Sequence, residues 1–210
     1  MQRQKIEPSH IMLGLLESVD RDGGQSQRAR ASEFGVALGL VNAYLKRCVR
    51  KGLVKVKEAP ARRYTYYLTA RGFAEKSRLT LEYLSYSLSF FRQARADCSA
   101  ALDVAKQRGW SRIILAGISD LAEISAICSL EGGIVLCAVV DAKAQQSHFV
   151  SIPVFATFDA VLTRFDGVLI TDLATAQTTY NAAVKHFGVD RVLVPQMLGV
   201  STRTNEASPQ

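Results

Sequence analysis

A short turn near the middle of the chain has the residue types that can hold a phosphate group. It reads Gly-Ile-Ser-Asp-Leu-Ala from Gly117 to Ala122, and it joins an apolar run to a helical pattern, as a G-x-G-x-x-G/A turn does. Ser119 replaces the second glycine and offers a hydroxyl group instead of space. Asp120 puts a negative charge at the helix start, where an anion would otherwise lie. The turn predicts a ligand site formed by Gly117, Ser119 and Asp120.

Two later residues complete this candidate site. Asp141 closes the next apolar run, 24 residues after Gly117, where a carboxylate typically accepts hydrogen bonds from ribose hydroxyls. Thr171 ends another apolar run, and parallel strands bring such ends to one edge of a sheet. Two interpretations stay open. Either the site binds a nucleotide-containing metabolite, or Ser119 marks an empty fold that serves as a structural or dimerising block.

A second set of candidates is cationic and lies on the helix predicted between Gly35 and Gly52. One side of this helix is apolar, with Val41, Leu45 and Val49 repeating every fourth residue beside Leu38, Tyr44 and Cys48. The opposite side has small or amide residues first and bases later, which suits contact with base edges and then with phosphates. These outer residues are Gly39, Asn42, Ala43, Lys46, Arg47 and Arg50.

The flanking segments distinguish this helix from an ordinary charged surface helix. Ser26 can cap a short preceding helix that carries Gln27 and Arg28, and Gly35 ends that helix. Downstream, LVKVK and RRYTYYL alternate around Pro60 and predict a hairpin, or wing, with Arg62 and Arg63 near its turn. Between Lys46 and Arg71 the sequence has nine basic residues and only one acidic residue, Glu58. The pattern predicts a winged helix-turn-helix domain that binds double-stranded DNA.

A long helix, or a helix pair, is predicted from Ala70 to Gln107, because the segment lacks proline and Thr69 can cap it. Apolar residues lie on more than one of its sides, which an isolated surface helix does not need. Either they form a homodimer seam or they pack within the chain. One stripe holds Leu81, Leu84, Leu88 and Phe91, and the other holds Tyr83, Tyr86 and Phe90.

From Arg112 onwards, fully apolar runs alternate with helical patterns, which predicts a Rossmann-like parallel sheet covered on both faces. The fold class is therefore two-domain α/β. We predict a winged helix-turn-helix domain over 9–68, a linking and dimerisation helix region over 69–110 and the Rossmann-like domain over 111–200. Residues 1–110 carry 20 Lys/Arg against 10 Asp/Glu, whereas the remainder carries 6 against 9, so the two parts should have different partners.

Composition argues against several other classes. The four cysteines form no C-x-x-C pair and are not clustered with the three histidines, which argues against a metal site. No apolar run approaches the roughly 20 residues of a membrane helix, so we expect a cytoplasmic protein without a membrane partner. Tyr180 is followed by Val184 where a Tyr-x-x-x-Lys pair needs lysine. We therefore expect no enzyme; the alternative is a nucleotide-sugar or NAD-dependent enzyme with an accessory winged-helix domain.

Residues Ser9 to Arg95 resemble the MarR-type winged helix-turn-helix regulators associated with exopolysaccharide gene clusters. The most specific part is the LTxxG-xxEKxRLT segment, Leu68 to Thr80. The resemblance implies DNA binding, dimerisation through helices flanking the wing, and control of polysaccharide-synthesis genes. It makes a nucleotide sugar the first candidate effector, with NAD(H) or CoA next. One departure is Ala37, which stands where such proteins carry a Ser or Thr helix cap.

The second half resembles the small nucleotide-binding domains of sugar-modifying acyltransferases and of CoA-binding or sugar-nucleotide enzymes. The segments that carry this likeness are RIILAGISDLAEI, VVDAK and DGVLITDL. The order of the two domains is also that of the NADH-sensing Rex-type repressors. Their intact glycine triplet has no counterpart in this chain, so that likeness is one of architecture only.

Overall fold

The structure, a computed structural model, describes residues 8–59 and 63–202. It comprises two compact units, Met1–Leu88 and Ser89–Gln210, and the division falls within a single helix. Among the helices of the described ranges, none combines the length and hydropathy that a membrane span requires.

Helices and a two-stranded wing make up the first unit. Its core is formed by apolar residues of the first and third helices, including Leu15, Leu16, Val41 and Leu45. The prediction of a helix-turn-helix followed by a hairpin is confirmed. The elements are α1 (Pro8–Arg21), α2 (Gln27–Glu33), α3 (Leu38–Arg50), and the antiparallel strands β1 (Val54–Ala59) and β2 (Arg63–Leu68).

Local caps set the limits of α2 and α3. The Ser26 hydroxyl oxygen accepts a hydrogen bond from the Ala29 amide at 3.1 Å and so begins α2. Gly35, with φ of +61°, lies in the turn that follows α2. Ala37 occupies the cap position of α3 and makes no side-chain hydrogen bond, because its methyl group cannot accept one. The first amides of α3 therefore have no side-chain acceptor from the cap residue.

An arginine of α2 is buried against the turn between α1 and α2. Arg30 has no exposed surface, and its guanidinium donates to the Ser18 hydroxyl and to the carbonyl oxygens of Asp22 and Gln25, at 2.6–3.0 Å. Burial lowers the pKa of Arg30. Its guanidinium carbon also lies 5.4 Å from the centre of the Tyr66 ring. Arg30 thus links both helices to the wing.

The base of the wing is joined to the same turn through its backbone. The Tyr66 amide donates to the Gly23 carbonyl oxygen at 2.9 Å, and Tyr66 is buried. A β-carbon on residue 23 would lie 2.1 Å from the Tyr66 carbonyl oxygen, so this approach requires glycine.

A single helix, α4 (Ala70–Gln107), follows the wing, and the alternative of a helix pair is not found. Thr69 caps α4, because its hydroxyl accepts from the Gly72 amide at 3.0 Å and donates to the Gly52 carbonyl oxygen at 2.7 Å. A β-carbon on residue 72 would lie 2.0 Å from the Leu53 carbonyl oxygen. Thr69 and Gly72 are the threonine and the glycine of the LTxxG pattern. They pack the start of α4 against the segment that follows α3.

The second unit is built on a six-stranded sheet with the order β5-β6-β4-β3-β7-β8. All neighbours are parallel except β5, which pairs antiparallel with β6 at one edge. The parallel strands, counted along the chain, have the order 3-2-1-4-5 of doubly wound folds. The elements are β3 (Arg112–Ala116), α5 (Asp120–Gly132), β4 (Val135–Val140), β5 (His148–Phe149), β6 (Ile152–Phe155), β7 (Gly167–Ile170), α6 (Ala176–Phe187) and β8 (Val192–Leu193).

Each face of this sheet has its own core, as predicted for a sheet covered on both sides. Ile113 and Leu115 pack with residues of α4 and α5, including Cys98 and Leu121. The alternate residues of β3 pack with Tyr180 and other residues of α6. The segment DAVLTRF, residues 159–165, has a pattern that predicts a short helix. That prediction is wrong, because the structure has only a single 3-10 turn there, Phe158–Ala160.

Candidate functional site

The outer face of α3 is the first candidate site. Gly39, Ala43, Lys46, Arg47 and Arg50 are exposed and Asn42 is half-buried. The opposite face is narrower than predicted, because only Val41, Leu45 and Cys48 are buried. Leu38 and Val49, expected in the core, are 42% and 39% exposed. Val49 lies about 80° around the helix from Val41, at the margin of the buried stripe.

The candidates on α2 and the wing differ in their surroundings. The Gln27 side-chain amide donates to the Tyr66 hydroxyl at 2.8 Å, so the wing strand holds Gln27, whereas Arg28 is exposed. Arg63 is the first residue of β2 and pairs with Ala59. Arg62 lies outside the described residues. On β1, Lys55 and Lys57 are exposed, so the cationic surface extends from α3 onto the wing.

Sequence reasoning missed Arg30, which holds the turn beneath Gln27 and Tyr66. The sequence pattern predicts a role for Arg28 of this segment and none for Arg30. The one available signal is that Arg30 and the half-buried Phe34 are four residues apart and so share a helix face. Arg28, two residues earlier, lies on the solvent side.

The second candidate site is the edge of the sheet at the carboxyl ends of β3, β4 and β7. Gly117 leaves β3 with φ of +102°, in the region that favours glycine. A β-carbon on residue 117 would lie 2.5 Å from the β-carbon of Asp172 and 2.7 Å from its backbone nitrogen. The loop after β3 therefore lies directly against the loop after β7.

Side-chain hydrogen bonds tie these two loops together. The Ser119 hydroxyl donates to the Thr171 carbonyl oxygen at 2.5 Å and accepts from the Leu121 amide at 3.1 Å, which caps α5. The Thr171 hydroxyl donates to the Gly117 carbonyl oxygen at 2.6 Å, and Thr171 has no exposed surface. The structure thus brings Gly117, Ser119 and Thr171 into direct contact.

Asp141, the predicted ribose acceptor, is also engaged by the protein. Its carboxylate accepts from the Ile118 amide at 2.9 Å and from the Lys143 amide at 2.8 Å, so it joins the end of β4 to the loop after β3. Asp120, at the start of α5, is exposed to solvent. That the predicted site residues bind a ligand stays a prediction; these residues are Gly117, Ser119, Asp120, Asp141 and Thr171.

Sequence reasoning also missed Asp172, at the centre of this edge. Its carboxylate accepts hydrogen bonds from the Ala174 and Thr175 amides and from the Thr179 and Thr175 hydroxyls. Burial tends to raise the pKa of Asp172, but the hydrogen bonds from Thr175, Thr179 and Ala174 outweigh it and lower the pKa overall. Asp172 is thus ionised at neutral pH. An aspartate followed by Thr-x-x-x-Thr near a helix start was its available signal.

A family model matches the segment that carries the first candidate site. Residues 9–55 match the family model described as winged helix-turn-helix DNA-binding. No curated protein sequence matches the chain. Among solved structures, a MarR family protein of Mycobacterium tuberculosis in complex with p-aminosalicylic acid is 24% identical, with a TM-score of 0.31. The match covers 34% of this chain, which spans 55% of the length of that protein.

Two methyltransferases also match. Human N-acetylserotonin methyltransferase, in complex with SAM, is 14% identical with a TM-score of 0.38, over 89% of this chain and 75% of its own. An O-methyltransferase from neocarzinostatin biosynthesis, in complex with S-adenosyl-L-homocysteine, is 16% identical with a TM-score of 0.38, over 91% and 84%. At these TM-scores the likenesses carry no conclusion about ligand or substrate.

The expectation that the chain is not an enzyme is contradicted by these two matches, because both proteins are enzymes and both match nine-tenths of the chain. That expectation is withdrawn. The family match concerns the first unit alone, where helix-turn-helix, wing and cationic face occur together. The N-terminal unit contains a winged helix-turn-helix DNA-binding domain.

Proposed function

We propose that this protein is a transcription regulator that binds duplex DNA as a homodimer. The observation that carries the proposal is the exposed cationic face of α3 and β1 in a winged helix-turn-helix domain. Small exposed residues, Gly39 and Ala43, allow the first turns of α3 to approach base edges, and Asn42 can form hydrogen bonds there. Lys46 and Arg50, further along, suit phosphates. The polysaccharide-synthesis genes proposed as targets rest on the family resemblance alone.

The experiment that tests DNA binding is a salt titration of the full chain on duplex DNA, followed by fluorescence anisotropy. If about 6 to 10 phosphates are contacted, log affinity should fall against log salt with a slope of about −5 to −9. In the Lys46→Ala, Arg50→Ala double variant the slope should become less steep by about 2, because each basic side chain neutralises one phosphate.

Lys106→Ala is the matched control for this titration. Lys106 is an exposed lysine near the end of α4, in the second unit, and its removal should leave the slope unchanged. A wild-type slope near zero, or an equal loss in the control, would show that the α3 face does not bind DNA.

The proposed homodimer rests on apolar residues in the middle of α4. Leu81, Leu84 and Leu88 are 65%, 49% and 54% exposed, and Tyr86 is 68% exposed. So many large apolar side chains within two turns of one helix are unusual on a monomer surface and are typical of a protein interface. A two-fold interface along α4 would also place the two DNA-binding domains of the dimer on the two halves of a palindromic site.

Leu88→Glu should convert the dimer to monomers, because the seam would bury a charge without a partner. We expect a halved mass in light scattering and a DNA affinity lowered by at least tenfold, since one half-site makes too few contacts. Val104→Glu is the control. Val104 is 37% exposed and lies about 160° around α4 from Leu88, so its substitution should leave the mass unchanged. An unaltered mass for Leu88→Glu would rule out this seam.

A further inference from the structure

The crevice between the ends of β3 and β7 is where the strand order of the second unit reverses. Doubly wound folds bind their ligands in this crevice, with a phosphate group against the first loop. We infer that in this protein the crevice is closed by the chain itself, and that Gly117, Ser119, Asp141 and Thr171 form a structural latch rather than a phosphate cradle. The inference is independent of DNA binding by the first unit.

The first observation is steric. In a phosphate-binding loop, glycine leaves space so that the ligand can approach the backbone. The space at Gly117 is instead taken by Asp172, whose β-carbon, α-carbon and nitrogen lie 2.5–2.7 Å from the position of a β-carbon on residue 117. Glycine is therefore needed for the approach of a neighbouring loop. A pyrophosphate at this point would have to displace the backbone of Asp172.

The second observation concerns the groups that would bind a phosphate. The Ser119 hydroxyl donates its proton to the Thr171 carbonyl oxygen, and its oxygen accepts from the Leu121 amide. The Ile118 amide donates to Asp141. The Ser119 hydroxyl and the Ile118 and Leu121 amides are donors that a phosphate oxygen could use, and each of the three already has an acceptor within the protein. A phosphate that used these three donors would have to break their bonds within the protein.

The third observation is the sign of the local charge. Asp120, Asp141 and Asp172 follow β3, β4 and β7 respectively, so three carboxylates lie along this edge. Hydrogen bonds keep Asp172 ionised, and Asp120 lies in the first turn of α5, where a bound anion would benefit most from the helix dipole. A phosphate would therefore meet carboxylates at the place where nucleotide-binding folds present amides. The residues present do not fit a phosphate-bearing ligand.

The test is thermal unfolding of the full chain, followed by the fluorescence of Trp110. This residue is the only tryptophan and lies in the second unit, so the signal reports that unit alone. Wild-type protein should show no change in melting temperature with millimolar NADH, UDP-glucose or CoA. Ser119→Ala and Thr171→Val should each lower the melting temperature by about 3 to 6 °C without any ligand, because each removes a bond between the loops.

Asp120→Asn is the matched control, since it alters the charge of the same loop at an exposed position. It should change the melting temperature by less than either latch variant. A nucleotide that raises the wild-type melting temperature, with the rise lost in Ser119→Ala, would overturn the inference. So would Ser119→Ala and Thr171→Val variants that melt at the wild-type temperature, because the hydrogen bonds between the two loops would then contribute nothing to the fold.

Discussion

Replacing Arg30 with alanine should destabilise the N-terminal unit by about 3 to 5 kcal/mol. The change leaves the Ser18 hydroxyl and the carbonyl oxygens of Asp22 and Gln25 without their donor. It also opens a cavity beneath the Tyr66 ring, because the side chain of Arg30 is fully buried. Loss of the unfavourable desolvation of a buried charge offsets only part of this cost. The measurement is urea unfolding of the full chain, followed by far-UV circular dichroism.

Arg28→Ala provides the control on the same helix. Arg28 is exposed, and a surface substitution of this kind is usually within about 0.5 kcal/mol of neutral. Arg30→Met separates two contributions, because it refills most of the volume while still removing the donors. If Arg30→Ala and Arg28→Ala unfold at the same urea concentration, the guanidinium does not organise this turn.

Gly72→Ala should cost about 2 to 4 kcal/mol, although alanine is normally the better helix former. The added β-carbon would lie 2.0 Å from the Leu53 carbonyl oxygen and 3.0 Å from its carbon. Backbone atoms cannot rotate away as a side chain can, so the start of α4 would have to move. The same shift would break the Thr69 bonds to Gly52 and Leu53. Urea unfolding measures the loss.

Gly39→Ala is a matched control with the opposite expected sign. Gly39 is also a helical glycine, but no atom lies within 4 Å of the position of its β-carbon. The substitution should therefore stabilise the protein by about 0.5 to 1 kcal/mol, because alanine loses less conformational freedom on folding. If both variants are stabilised, Gly72 has no packing role and the glycine of the LTxxG pattern needs another explanation.

The periodicity of apolar residues was enough to predict most of the elements. The four-residue repeat from Val41 to Val49 located α3, and the alternation on either side of Pro60 located the wing. Apolar runs located the parallel strands of the second unit. These features are local, since each depends on residues within one helix or strand. β5 was missed because it has only two residues, His148 and Phe149, and because Val150 and Ser151 adopt positive φ, which valine rarely does.

The partners of polar side chains could not be predicted in the same way. The type of Ser119 indicated a hydrogen bond, but its acceptor, Thr171, is 52 residues away. Arg30 was indistinguishable by type from the surface bases around it, although its donors all point inward. The importance of Gly72 depends on the Leu53 carbonyl oxygen, which no local pattern locates. Periodicity predicts which face is buried, whereas polar contacts depend on how distant segments meet.

The hydrogen bond between Gly23 and Tyr66 determines how much of the β1–β2 hairpin is anchored to the helices of the first unit. Within the described residues, six pairs join β1 to β2, and Tyr66 pairs with Val56 at the third of them from Leu68. The first three pairs thus include the one held at the turn between α1 and α2, and the other three described pairs lie beyond it. Three residues of strand span about 10 Å. A segment of that length exceeds the width of one DNA minor groove, about 6 Å. In the proposed DNA complex we therefore expect Lys57, beyond the anchored pairs, to contact DNA more readily than Lys55, at the anchored base.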